Sequence, residues 1–115
     1  MDSAMIIHKE LAAGRWFKFS LIEQLANIGS DVIRTINWKK RGDLELSKAA
    51  LFRALELTDL TVTDKKNKGR LREILRTREA LVDRFLYDNA YNTTDEQWYN
   101  YFFQYNYAVA IQNGR

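Results

Sequence analysis

The sequence predicts an all-α fold: an up-down-up-down four-helix bundle with a short N-terminal leader helix. Three observations lead there. The 115 residues hold no proline and only five glycines, which long helices tolerate and a turn-rich β fold does not. Apolar residues recur at helical spacing in four long segments. Short polar turns separate these segments, and short connections make neighbouring helices antiparallel. A chain of this length suits one domain with a single core. Residues 15–115 are therefore read as the bundle and residues 1–14 as a leader or extension.

In the leader, Ile6, Ile7 and Leu11 make one apolar stripe on a short helix ending near Gly14. A frayed extension fits the same residues. No basic start, long apolar core or cleavage site marks it as a signal peptide.

The first long helix is expected over Ser20 to Lys40. Ser20-Leu21-Ile22-Glu23 has the form of a capping box, in which the serine oxygen and the glutamate each satisfy a free backbone N–H. Leu21, Ile22, Leu25, Ile28, Val32, Ile33 and Ile36 share one wide face. Gly29 lies within that face. Glycine there costs about 1 kcal/mol against alanine, and the expected return is close approach of another helix. Glu23, Asn27, Ser30, Asp31 and Arg34 fall on the opposite side. Lys39, Lys40 and Arg41 complement the helix dipole at the C-terminal end, and Gly42 is the expected C-cap.

The second helix runs from about Asp43 or Leu44 to Val62. Leu46, Ala49, Ala50, Ala54, Leu57 and Leu60 form one apolar face, and Leu51, Leu55 and Val62 form another. A helix apolar on two sides is sandwiched between neighbours. Asp64-Lys65-Lys66-Asn67-Lys68-Gly69 reads as a polar turn. The third helix, Arg70 to about Tyr87, carries Leu71, Ile74, Leu75, Leu81, Val82, Phe85 and Leu86 on one stripe. The four arginines within residues 70–79 do not share a face. Arg72 and Arg76 fall on the solvated side, Arg70 lies at the edge, and Arg78 points down the middle of the stripe. After a loop over residues 88–93, Thr94-Asp95-Glu96-Gln97 is a second capping box. The last helix, Asp95 to about Gln112, is rich in tryptophan, tyrosine and phenylalanine, and Gly114 follows as a stop.

Four groups of residues carry functional readings. Arg53 and Arg78 both project from apolar faces. Each needs an acidic partner or a route to solvent, with Glu23, Glu56, Asp59 and Asp83 as the available acids. The plain reading is a set of ion pairs. The sharper one is a small-anion or ligand pocket gripped by the two guanidinium forks, with Glu23 or Glu56 opposite. Trp98, Tyr101, Phe102 and Tyr105 make an aromatic stripe on the last helix, where other aromatics point elsewhere. One core cannot easily bury rings in so many directions, so self-association through this helix is expected. Lys39, Lys40, Arg41, Lys65, Lys66, Arg72 and Arg76 would be the contacts of a nucleic-acid-binding accessory protein, although acids interleave with bases almost everywhere. His8 is the sole histidine and has no catalytic or metal-binding partner.

Several classes are set aside. With no cysteine there are no disulfides, thiolate metal sites or thiol nucleophiles, and a cytoplasmic location is expected. There is no Glu-x-x-His pair, Gly-rich phosphate loop or Gly-x-Ser-x-Gly. No catalytic, metal or cofactor-binding residue is therefore assigned. No apolar run approaches the length that spans a membrane. The net charge of +3 permits an acidic partner without demanding one.

The run Gly14-Arg15-Trp16-Phe17-Lys18-Phe19-Ser20-Leu21-Ile22-Glu23-Gln24-Leu25-Ala26-Asn27-Ile28-Gly29-Ser30-Asp31-Val32, with Ala54-Leu55-Glu56-Leu57, Asp59-Leu60-Thr61 and Arg76-Thr77-Arg78-Glu79, resembles a family of small, uncharacterised bacterial four-helix-bundle proteins. The resemblance covers about Arg15 to Ala110. It implies a helical bundle and a bacterial source and brings no activity with it. In architecture alone the layout is also similar to HEPN-type RNases and nucleotidyltransferase partner subunits. The nuclease members carry an arginine followed at short spacing by histidine, and no histidine follows His8 here, so that activity does not carry over. The expectation is a non-enzymatic interaction or accessory protein, self-associating through its last helix and presenting helix faces to a protein partner.

Overall fold

The computed structural model describes residues 13–114, which are helical with no strand among them. In chain order they form a 3-10 helix η1 (Arg15–Lys18), helix α1 (Leu21–Lys40), helix α2 (Leu44–Thr63), a second 3-10 helix η2 (Lys65–Arg70), helix α3 (Leu71–Leu86) and helix α4 (Asp95–Gln112). The leader stripe of Ile6, Ile7 and Leu11, and His8 with it, lie outside the described residues.

Local chemistry sets the helix ends. Glu23 N–H donates to Ser20 Oγ at 3.2 Å while Ser20 N–H donates to Glu23 Oε1 at 2.8 Å, so the first capping box is closed. The second closes through Gln97 N–H on Thr94 Oγ1 at 3.1 Å and Thr94 N–H on Gln97 Oε1 at 2.9 Å. Gly42 takes φ 84°, a left-handed conformation that suits glycine. Its N–H reaches Lys39 O and the next N–H, of Asp43, reaches back to Trp38 O, both at 3.0 Å, which is the Schellman pattern. Asp43 then caps α2 by accepting from Leu46 N–H at 3.0 Å.

Helix α1 is the central element and packs along both α2 and α4. Its Leu25, Ile28, Val32 and Ile36 meet Leu51, Ala54, Leu55 and Leu57 of α2, with Trp98 and Phe102 of α4 and Trp16 of η1, in one buried cluster. Helix α3 packs on α2 and contributes Leu81 to this cluster. Close contact between α1 and α4 depends on Gly29. A Cβ at that position would stand 2.6 Å from Phe102 Cβ, inside any tolerable separation. The expected return on this glycine is therefore found.

The expected polar turn after α2 differs from what forms. Lys65–Arg70 is a 3-10 helix capped by Asp64, and Asp64 and Asn67 are buried. They close the bundle end through buried Gln24 of α1. Gln24 Nε2 donates to Asp64 Oδ2 at 2.9 Å and to Trp16 O at 3.1 Å, and Asn67 Nδ2 donates to Gln24 Oε1 at 2.9 Å and to Thr61 O at 3.0 Å. The Trp16 indole N–H donates to Thr61 Oγ1 at 3.0 Å. Local composition marks this stretch as polar, but its partners come from η1 and α1, far away in sequence. Among the described residues no helix is long and apolar enough to cross a membrane.

Candidate functional site: the groove between α3 and α4

Helices α3 and α4 do not pack closely along their lengths. The reason is visible in the residues they turn toward each other. From the η2–α3 side come Gly69, Glu73, Thr77 and Ala80, small or polar; from α4 come Gln97, Trp98 and Tyr101. No large apolar side chain of α3 lines the groove between them. Polar bridges hold it at two places instead. Tyr101 OH donates to Glu73 Oε2 at 3.1 Å and lies 3.2 Å from Thr77 Oγ1, and Tyr105 OH reaches the same Glu73 oxygen at 3.5 Å. Toward the other end Arg84 Nη2 donates to Asp95 Oδ1 at 2.7 Å. What remains is a groove of about 660 Å³, within the usual range of small-molecule sites.

The groove's electrostatics follow from Glu73. Burial works against its charged form, but hydrogen bonds from Arg70 and Tyr101, the charge of Arg70 and a bond from Tyr105 outweigh it and hold the carboxyl below its ordinary range. Tyr101 shifts the other way. Burial raises its phenol, and the nearby Tyr105 and Glu73 add to the rise, so it remains a neutral donor. Arg70 Nη2 lies 2.6 Å from Glu73 Oε1, and the two charges compensate each other. Arg72 and Arg76 line the lip, where they also border a hollow beside Leu71 and Leu75. Among the described residues neither makes an ion pair.

Comparison with protein-family models, with curated proteins and with solved structures gives no match.

The residues singled out from sequence are distributed differently from expectation. Arg53 and Arg78 do not converge on one pocket. Arg53 meets Asp31 of α1, with its Nε 3.7 Å from Oδ1, and Arg34 donates to the same oxygen at 2.7 Å. Arg78 leaves the apolar stripe on its flexible stem and grips Asp59, Nε to Oδ1 at 2.6 Å and Nη2 to Oδ2 at 3.4 Å. Asp59 is one of the four expected acids; Asp31, expected on a solvated side, is not, and it is buried. Glu23 is engaged in its capping box, and Glu56 lies half-buried on α2. Asp83 instead accepts from Ala90 N–H at 2.7 Å and Tyr91 N–H at 3.0 Å, tying down the loop after α3.

Trp98 and Phe102, expected at an interface, are buried in the monomer core, because Gly29 admits Phe102 against α1. Tyr101 and Tyr105 are partly buried against that core. The rings α4 does expose are Phe103 and Tyr107, stacked with centroids 6.2 Å apart, with Ile111 one turn further on.

The basic residues form no single patch. Lys39, Lys40 and Arg41 end α1, where they lie over the rings of Phe85, Tyr99 and Trp38 respectively. Lys65 and Lys66 sit beside the opposite end of α1, and Lys66 is held by Asp64 and by Phe17 O. Arg72 and Arg76 belong to the groove. Among the described residues no group of three or more histidine or acidic side chains is placed to hold a metal ion.

Proposed function

We propose that the protein is a non-catalytic interaction or accessory module of the bacterial cytoplasm that self-associates through the outward face of α4. The bundle is read as up-down-up-down. In support, the contacts are those of antiparallel neighbours: Gln24 at the start of α1 meets Asp64 just past the end of α2, Glu73 in the first turn of α3 meets Tyr105 in the later half of α4, and Arg84 near the end of α3 meets Asp95 at the start of α4.

The observation that carries the reading is the line Phe103, Tyr107 and Ile111, which are 64%, 60% and 53% exposed at successive turns of α4. Large apolar side chains that recur on one exposed face mark an association surface. Residues 97–114 contain no charged side chain. A second copy therefore meets no like-charge repulsion there, and a self-complementary two-fold pairing of α4 against α4 is the simplest closed arrangement.

Size-exclusion chromatography with light scattering tests this. The expected result is a mass about twice the 13.6 kDa of the chain, unchanged between low and high salt. A monomer at every concentration overturns the reading.

A further inference from the structure

We infer that the α3–α4 groove is a binding site for a small aromatic carboxylate. This goes beyond self-association, because the groove side of α4 is Gln97, Trp98 and Tyr101, whereas the outward line is Phe103, Tyr107 and Ile111.

Shape gives the first part of the argument. One wall is small: Gly69, Thr77 and Ala80. The other is aromatic, with the rings of Trp98 and Tyr101 set edge to face at 83°. Their polar atoms are already satisfied, the Trp98 indole N–H by Thr93 Oγ1 at 3.1 Å and the Tyr101 hydroxyl by Glu73 and Thr77. The wall facing the space is the ring surface of the partly buried Tyr101 with the small part of Trp98 that stays exposed, and it favours a flat apolar body.

Charge gives the second part. Glu73 is compensated by Arg70 and by two tyrosine hydroxyls, so it presents little free negative charge to a ligand. Arg72 and Arg76, one helical turn apart on the lip, form no ion pair among the described residues, and with Arg70 they outnumber Glu73, the one acid of the lining. The groove's uncompensated charge is positive and sits at one rim. A carboxylate matches that fork geometry as a bidentate acceptor. The ligand's anion lies at the Arg72–Arg76 lip and its ring lies against Tyr101, beside the exposed part of Trp98.

The test uses the whole chain with 1-naphthoate as the probe, followed by the three tryptophan indole N–H signals in NMR and by calorimetry. Saturable binding is expected to move the Trp98 signal and leave Trp16, buried beneath Gln24 at the start of α1 and absent from the groove's lining, in place. The neutral analogue 1-naphthalenemethanol is expected to bind about tenfold more weakly, as loss of a charge-assisted contact implies. Arg72→Gln with Arg76→Gln is expected to remove this preference for the anion while leaving the circular dichroism spectrum unchanged, since both side chains are exposed. Absence of saturable binding at millimolar probe overturns the inference. So does equal binding of the neutral analogue, or a preference that survives the double substitution.

Discussion

Gly29 of α1 lies directly beneath Phe102 of α4, and a methyl group on Gly29 would stand 2.6 Å from Phe102 Cβ and 2.8 Å from the ring. The nearest atom is a Cβ, fixed by its backbone rather than free at the tip of a side chain. Gly29→Ala therefore forces α1 and α4 apart. Alanine improves helix propensity by about 1 kcal/mol, but overpacking of a tight core contact costs about 1–3 kcal/mol and more when backbone must move. The expected outcome is net destabilisation in a urea melt, with loss of near-ultraviolet signal from the Trp98–Phe102 stack.

The network around Gln24 predicts a large response to a conservative-looking change. Gln24→Leu removes partners from Asp64, Asn67 and Trp16 O together. Leaving buried polar groups unsatisfied costs about 1–3 kcal/mol each, so a chemical melt is expected to show one of the largest losses of any single polar substitution in the chain.

Acid stability follows from Asp64 and Glu73. Burial opposes the charged form of Asp64, but Lys66 and Gln24 bond to it and its carboxyl is held below the ordinary value. Glu73 is held low by Arg70 and the two tyrosines despite its own burial. A lowered folded pKa means that the unfolded chain binds more protons in acid. Stability from these groups is thus fully present above the ordinary carboxylate range and is lost as pH falls from there through their lowered folded values. Asp64→Asn is expected to flatten the acid limb of a stability-against-pH curve measured by thermal melting.

Two aspartates that each meet an arginine are expected to behave differently. Asp59 is 57% exposed in its pair with Arg78, and Asp59→Ala is expected to cost under about 1 kcal/mol. Asp31 is 5% exposed and serves Arg34 and Arg53 from two helices. Loss of charged hydrogen bonds in such a setting costs about 1.5–3 kcal/mol. Denaturant titrations of the two alanine variants, compared at one pH, check the order.

The outward line on α4 separates association from folding. Phe103→Ser with Tyr107→Ser is expected to give a monomer by light scattering with a melting temperature, taken at high dilution, close to that of the parent chain. Trp98→Ala is expected to lower stability by about 3–5 kcal/mol, because that ring lies in the core.

What could be read in the sequence was what depends on near neighbours. Ser20 with Glu23, Thr94 with Gln97, and Gly42 after three basic residues specify helix ends within a few residues, and those ends are found. Gly29 was legible too, since a glycine within an apolar face needs a packing reason. Pairings across the bundle were not legible. Gln24 finds Asn67, 43 residues away, and Arg53 finds Asp31 rather than a nominated acid. Arg78 sits at a core position by periodicity, yet its stem lets the charge leave. The groove was invisible because it arises from what α3 lacks opposite Trp98. The sequence places the aromatic helix but not which of its rings face out, since the contact of Gly29 with Phe102 decides which side of α4 turns inward.

The polar bridges across the α3–α4 seam have a consequence for motion. Helix α3 fully buries only Ile74 and Leu81, whereas α1 and α2 bury side chains along most of their lengths. A segment with so few buried anchors detaches at a smaller free energy than global unfolding. Its amides should therefore exchange with deuterium ahead of those in α1. On this ground α3, joined to α2 through η2, is expected to open before the packed pair of α1 and α2, and its opening widens the space beside Trp98.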